Sequence, residues 1–162
     1  MAARRTKTIN RPLRAYVDTS VFGGVHDDEF RVGSERFFRA VREGAFTILS
    51  SQPLAIEISR APDNVRATFD AYRAEAEVLD TTDEAESLAE AYMNAKVVPA
   101  ASRLDALHVA LASVARADLI VSWNFKHLVQ LRRIRAFHAV NILRGYPLIE
   151  IRSPLEVIDD ED

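Results

Sequence analysis

The chain of 162 residues contains no cysteine. That absence excludes disulfides, zinc–thiolate centres and thiol nucleophiles, and it points to a reducing cytoplasm. No apolar run approaches the ~20 residues that a membrane-spanning helix needs, so no membrane partner is expected. The N-terminal segment carries Arg4, Arg5, Lys7 and Arg11, but no apolar stretch follows them, and it does not read as a signal peptide. A glycine-rich dinucleotide turn and a P-loop are also missing, because the first apolar strand leads straight into Asp18-Thr19-Ser20-Val21-Phe22. One further absence is local. From Leu119 to Ile149 there is no Asp or Glu, while Lys126, Arg132, Arg133, Arg135 and Arg144 fall there together with His127 and His138. The net charge of −3 argues weakly against nucleic-acid binding, yet this distribution allows a basic face on an acidic protein. A plain solvated helix surface would give the same pattern.

What is present describes an ordinary globular protein. With 48% hydrophobic and 28% charged residues the chain can bury a core, and its length fits one domain. The expected organisation is a flexible basic arm over 1–13, one domain over 14–157 and an acidic tail over 158–162. Short β-branched or apolar runs at Arg14–Val17, Phe46–Leu49, Glu77–Leu79, Leu119–Ser122 and Leu148–Ile151 read as strands. Helical periodicity fills the gaps between them, with starts expected at Ser34, Ser51, Asp63, the capping box Thr81-Thr82-Asp83-Glu84, and Ser102. Strands alternating with helices predict an α/β fold, a parallel sheet with helices on both faces.

In such a sheet ligands bind beyond the carboxyl ends of the strands. Asp18-Thr19-Ser20 and Trp123-Asn124-Phe125 both follow strands and occupy that edge. Two more acids stand out by their neighbours: Glu57 within Leu54-Ala55-Ile56-Glu57-Ile58, and Asp105 within Leu104-Asp105-Ala106-Leu107-His108-Val109. If the three acids converge, a pair of like charges ~4 Å apart costs about 4 kcal/mol at an effective dielectric of ~20. A cluster of that kind takes up protons or binds a cation, and hard carboxylate oxygens select Mg²⁺ or Mn²⁺. Each acid also has a plainer explanation. Asp18 can cap a turn, Glu57 can sit on an exposed helix face, and Asp105 can close a capping box begun by Ser102. His108 shares a helix face with Asp105, reads as a packed histidine and is not assigned to the metal. Trp123, the only tryptophan, reads as core.

The order Tyr16-Val17-Asp18-Thr19-Ser20, then Ser50–Glu57, then Leu104-Asp105-Ala106-Leu107-His108-Val109-Ala110, then Leu119–Asn124 resembles the PIN-domain family. It is most similar to the VapC-type toxins of toxin–antitoxin pairs, and the likeness spans roughly Arg14 to Val157. The resemblance implies a three-layer α/β/α sandwich around a small parallel sheet, a homodimer and a small antitoxin partner. It further implies a Mg²⁺- or Mn²⁺-dependent endoribonuclease that leaves a 5′-phosphate and a 3′-hydroxyl. By position Asp18, Glu57 and Asp105 would be the metal-binding, catalytic acids, supported by Thr19, Ser20, Ser122 and Asn124. Many relatives carry a fourth acid where this chain has Asn124, a departure that bears on a second metal ion more than on the first. Lys126, Arg132, Arg133 and Arg135 are the expected contacts to the RNA backbone. The competing expectation is a PIN-like RNA-binding or protein-interaction module that has lost catalysis, for which Asn124 is the best support. A phosphatase with an aspartate nucleophile is set aside, because it needs a second Asp where Ser20 stands.

Overall fold

The computed structural model describes residues 11–158; the expected basic arm (apart from residues 11–13) and the acidic tail beyond residue 158 lie outside them. Five strands form one sheet: β1 (Leu13–Val17), β2 (Phe46–Ser51), β3 (Glu77–Leu79), β4 (Leu119–Val121) and β5 (Glu150–Arg152). Every pairing is parallel, in the order β3-β2-β1-β4-β5. Tyr16 lies opposite Leu49 on one side and Ile120 on the other, so β1 is the centre of the sheet. Parallel neighbours need crossovers, and the helices supply them. These are α1 (Thr19–Gly24), α2 (Arg31–Arg42), α3 (Gln52–Ser59), α4 (Asp63–Arg73), α5 (Asp83–Asn94), α6 (Arg103–Val114), α7 (Leu131–Arg144) and α8 (Pro154–Val157).

Alternation along the strands divides the core in two. Tyr16, Leu49, Ile120 and Ile151 face α5, α6 and α7 and pack with Leu88, Tyr92, Val109 and Phe137. Ala15, Val17, Ile48 and Val121 face the other way, toward Phe22, Phe37, Leu54 and Phe69 of α1–α4. The result is the α/β/α sandwich expected from the sequence. Trp123 belongs to the second cluster, as expected of a core residue. Its indole N–H donates to Ser34 Oγ at 2.8 Å, and its ring stacks on Phe30 at a centroid distance of 4.6 Å.

Several element starts differ from the sequence expectation. Ser34 is buried inside α2, where it accepts the indole hydrogen bond; Phe30 occupies the cap position. Asp63 is the first residue of α4, one place after its cap at Pro62. Ser102 stands before α6 but makes no side-chain cap bond, so the capping box with Asp105 is not formed. The polar turn expected at Thr19-Ser20 is instead the start of a short helix, α1. Ser51 does cap its helix, accepting from Leu54 N, whereas α5 is capped by Thr82, accepting from Ala85 N, one residue after the Thr81 that a Thr81–Glu84 box would use. Gly145 ends α7 at φ 80°, a left-handed conformation that glycine adopts without strain.

Candidate metal centre

The strand order reverses direction at β1, whose two neighbours β2 and β4 lie on opposite sides of it in the sheet. In open α/β sheets the crevice at the carboxyl ends of the strands, at such a point, is where ligands bind. Asp18, the residue after β1, donates its backbone N–H to Val121 O at 3.0 Å and so closes the gap toward β4. The residue is only 7% exposed, and a buried carboxylate needs partners. Its Oδ2 accepts from Ser20 Oγ at 2.7 Å and from Ser122 Oγ at 2.8 Å. Those hydroxyls are themselves fixed, since Trp123 N donates to Ser20 Oγ and Asn124 N to Ser122 Oγ, each at 2.9 Å. One carboxylate oxygen is thereby immobilised, while Oδ1 makes no hydrogen bond among the described residues.

Glu57 reaches the same crevice from the last turn of α3, and its Oε2 lies 3.3 Å from His108 Nε2. His108 is fully buried on α6, with Nδ1 2.6 Å from Tyr16 Oη, and Tyr16 Oη is 2.7 Å from Ser51 Oγ. Ser51 Oγ also accepts from Leu54 N. An ionised carboxylate has no proton to give, so Nε2–H donates to Glu57 and Nδ1 accepts from Tyr16. The chain of bonds therefore runs in one direction, from Leu54 through Ser51, Tyr16 and His108 to Glu57. Burial pushes the Glu57 carboxyl up, but the hydrogen bond from His108 and the nearby Thr19 hydroxyl outweigh it and hold the group below the usual glutamate range. The Thr19 hydroxyl is buried beside that carboxylate without a well-aligned partner. Burial drives the Tyr16 phenol well above its ordinary range.

Asp18, Glu57 and His108 each offer one ligand atom, and the three atoms lie within 4.8 Å of one another. Asp105 is not among these three. It sits one turn before His108 on α6, where its Oδ2 is 3.0 Å from His127 Nδ1. Burial and the negative charge of Asp18 raise its pKa against the opposing pull of His127. The sequence-predicted acids thus share one region, with Asp18 and Glu57 in closest company. His108 is the packed histidine that was expected, and it also lies against the two carboxylates, with its Nε2–H committed to Glu57. Its place on Asp105's helix face was the only sequence signal for that. Nothing in the sequence indicated Tyr16 or His127.

Asn124 makes no hydrogen bond to Asp18 among the described residues. Its Oδ1 accepts from His127 N at 3.0 Å and closes the turn after β4. Lys126, Arg132 and Arg135 are exposed. Arg133 is not free in the same way, because its guanidinium donates to Val97 O at 2.6 Å.

No family model and no curated protein sequence matches this chain. Solved structures do. VapBC2 from Rickettsia felis, bound to a DNA fragment from its promoter, superposes with a TM-score of 0.57 at 11% identity, over 87% of this chain and 98% of that one. VapC20 of Mycobacterium tuberculosis, a toxin that cleaves the sarcin–ricin loop, superposes with a TM-score of 0.51 at 14% identity, over 70% of this chain and 92% of that one. At these identities the likeness shows the fold, which this chain shares with VapBC2 and VapC20.

Proposed function

We propose that the chain is a metal-dependent endoribonuclease and the toxin of a toxin–antitoxin pair, acting in the cytoplasm. The observation that carries this reading is the meeting of Asp18, Glu57 and His108 at the switch point of the sheet. The donor chemistry fits a divalent cation: Asp18 Oδ1 is uncommitted, Glu57 is held ionised, and the Thr19 hydroxyl is buried without a well-aligned partner. Carboxylate oxygens favour Mg²⁺ or Mn²⁺. Held by Asp18 and Glu57, with Asp105 beside them, such an ion would neutralise a phosphodiester oxygen and acidify a water.

The protein's own residues orient these groups. Ser20 and Ser122 fix Asp18 Oδ2, and His108 fixes Glu57 Oε2, so neither acid must reorganise when a substrate arrives. Lys126, Arg132 and Arg135 are exposed cations for the RNA backbone. The likeness to the VapBC2 pair supports a small antitoxin as partner, and we add a second copy of the chain as the other. The ribonuclease reading draws the same kind of support from VapC20.

The test is cleavage of a mixed RNA panel in Mn²⁺, Mg²⁺ or EDTA, with Asp18→Asn beside the wild type. Cleavage that requires the cation and falls by orders of magnitude in the variant is the expected result. The second reading, a PIN-like RNA-binding module without catalysis, is favoured by Asn124, whose amide oxygen is spent on the turn. RNA binding without turnover on every substrate would select it.

A further inference from the structure

We propose that His127 is a positioning residue for Asp105, a role that rests on reading Asp105 as one of the metal-binding acids. His127 Nδ1 lies 3.0 Å from Asp105 Oδ2, with Ser102 Oγ a weaker neighbour at 3.3 Å. The carboxylate is an acceptor only, so the imidazole Nδ1–H is the donor and pins one carboxylate oxygen. Asp105 Oδ1 makes no hydrogen bond among the described residues and remains available to a cation.

The turn that delivers the imidazole is built for this. Asn124 Oδ1 accepts from His127 N, and Asn124 O accepts from Leu128 N at 3.1 Å and Val129 N at 2.8 Å. Leu128 is fully buried and anchors the far side of the turn. The His127 side chain is 17% exposed, so it is enclosed but still reaches the surface. His127 Nε2 has no hydrogen-bond partner among the described residues, which leaves the Asp105 contact as the principal bond of the ring. Asn124, which carries no charge itself, therefore shapes a turn that orients an acid. A group that orients a metal-binding side chain typically changes metal affinity by roughly 10–100-fold when removed.

Calorimetric titration with Mn²⁺ tests this in the full chain, with folding checked by circular dichroism. His127→Leu removes the donor, whereas His127→Asn places an amide N–H close to the position of Nδ1. His127→Gln puts its amide too far out; it carries the same test as His127→Leu if the leucine variant folds poorly. The expected result is a roughly 10–100-fold weaker Mn²⁺ affinity for the leucine and glutamine variants, with the asparagine variant close to wild type. Wild-type affinity in His127→Leu, with clear loss in Asp105→Asn, overturns the positioning role and leaves the metal reading standing. Equal loss in the leucine and asparagine variants overturns it too, because the hydrogen bond would then not be the cause. Unchanged affinity in Asp105→Asn overturns the reading of Asp105 itself, and the role of His127 with it.

Discussion

Asp18 stood out in the sequence because it follows a strand at the carboxyl edge of the sheet, and Glu57 because it is an acid within an apolar run. An acid in such company is either partnered or protonated. Their partners were not legible. Tyr16 and His108 are 92 positions apart, and only the register of β1 beneath α6 brings them together. The hydroxyl of Tyr16 serves both His108 and Ser51, so Tyr16→Phe leaves the buried His108 Nδ1 without a donor and the Ser51 hydroxyl proton without its acceptor. The expected cost is about 1–3 kcal/mol, read as a lower midpoint in urea unfolding with an unchanged slope. Asp105 makes a prediction of opposite sign. Its raised pKa means that the folded state holds the proton more tightly, which favours folding at low pH and is lost as pH rises through the raised value. Near neutral pH without a cation, Asp105 is therefore a cost. Asp105→Asn, still able to accept from His127, should melt higher than wild type in EDTA near pH 7, and the gap should close toward pH 3. Mn²⁺ should reverse the order, because only the carboxylate form gains from the cation. A variant that melts lower in EDTA at every pH would contradict this account.

At the scale of elements, the alternation of strands and helices was readable throughout, since each strand is a short apolar run bounded by polar turns. The short helix α1 was not. Thr19-Ser20-Val21-Phe22-Gly23-Gly24 has poor helix formers at most positions, and it folds because Val21 and Phe22 are buried against α2 and α4. Cap signals failed where another group had a stronger claim on the hydroxyl: Ser34 is held by the Trp123 indole rather than by a helix end. Packing of the same indole fixes the fate of a glycine. A Cβ at Gly33 would stand 2.7 Å from Trp123 Cη2 and 3.2 Å from Leu155 Cδ2. Alanine would gain about 1 kcal/mol of helix propensity there, but overpacking costs about 1–3 kcal/mol against a ring already pinned on its other side. Gly33→Ala should therefore lower stability in chemical denaturation; a gain would mean that the indole can shift.

For the whole molecule, the stretch without acids from Leu119 to Ile149 is the main electrostatic asymmetry. The sequence could not tell which of its cations reach solvent. Arg132 and Arg135 do, whereas Arg133 is tied to the Val97 carbonyl, so reversing its charge would disturb the junction after α5 as well as any RNA contact. Arg132→Glu with Arg135→Glu should weaken RNA binding and flatten its dependence on salt by about 0.7 per lost phosphate contact on a single strand. An unchanged slope would move the RNA path to another face. Trp123 makes a different use of the molecule available. The chain has one indole, stacked on Phe30 and bonded to Ser34, and its backbone N–H holds the serine that holds Asp18. Excited near 295 nm, this lone fluorophore is a built-in optical gauge of the crevice: any cation or RNA that shifts Ser20 or the Asn124 turn changes its emission, with no label attached.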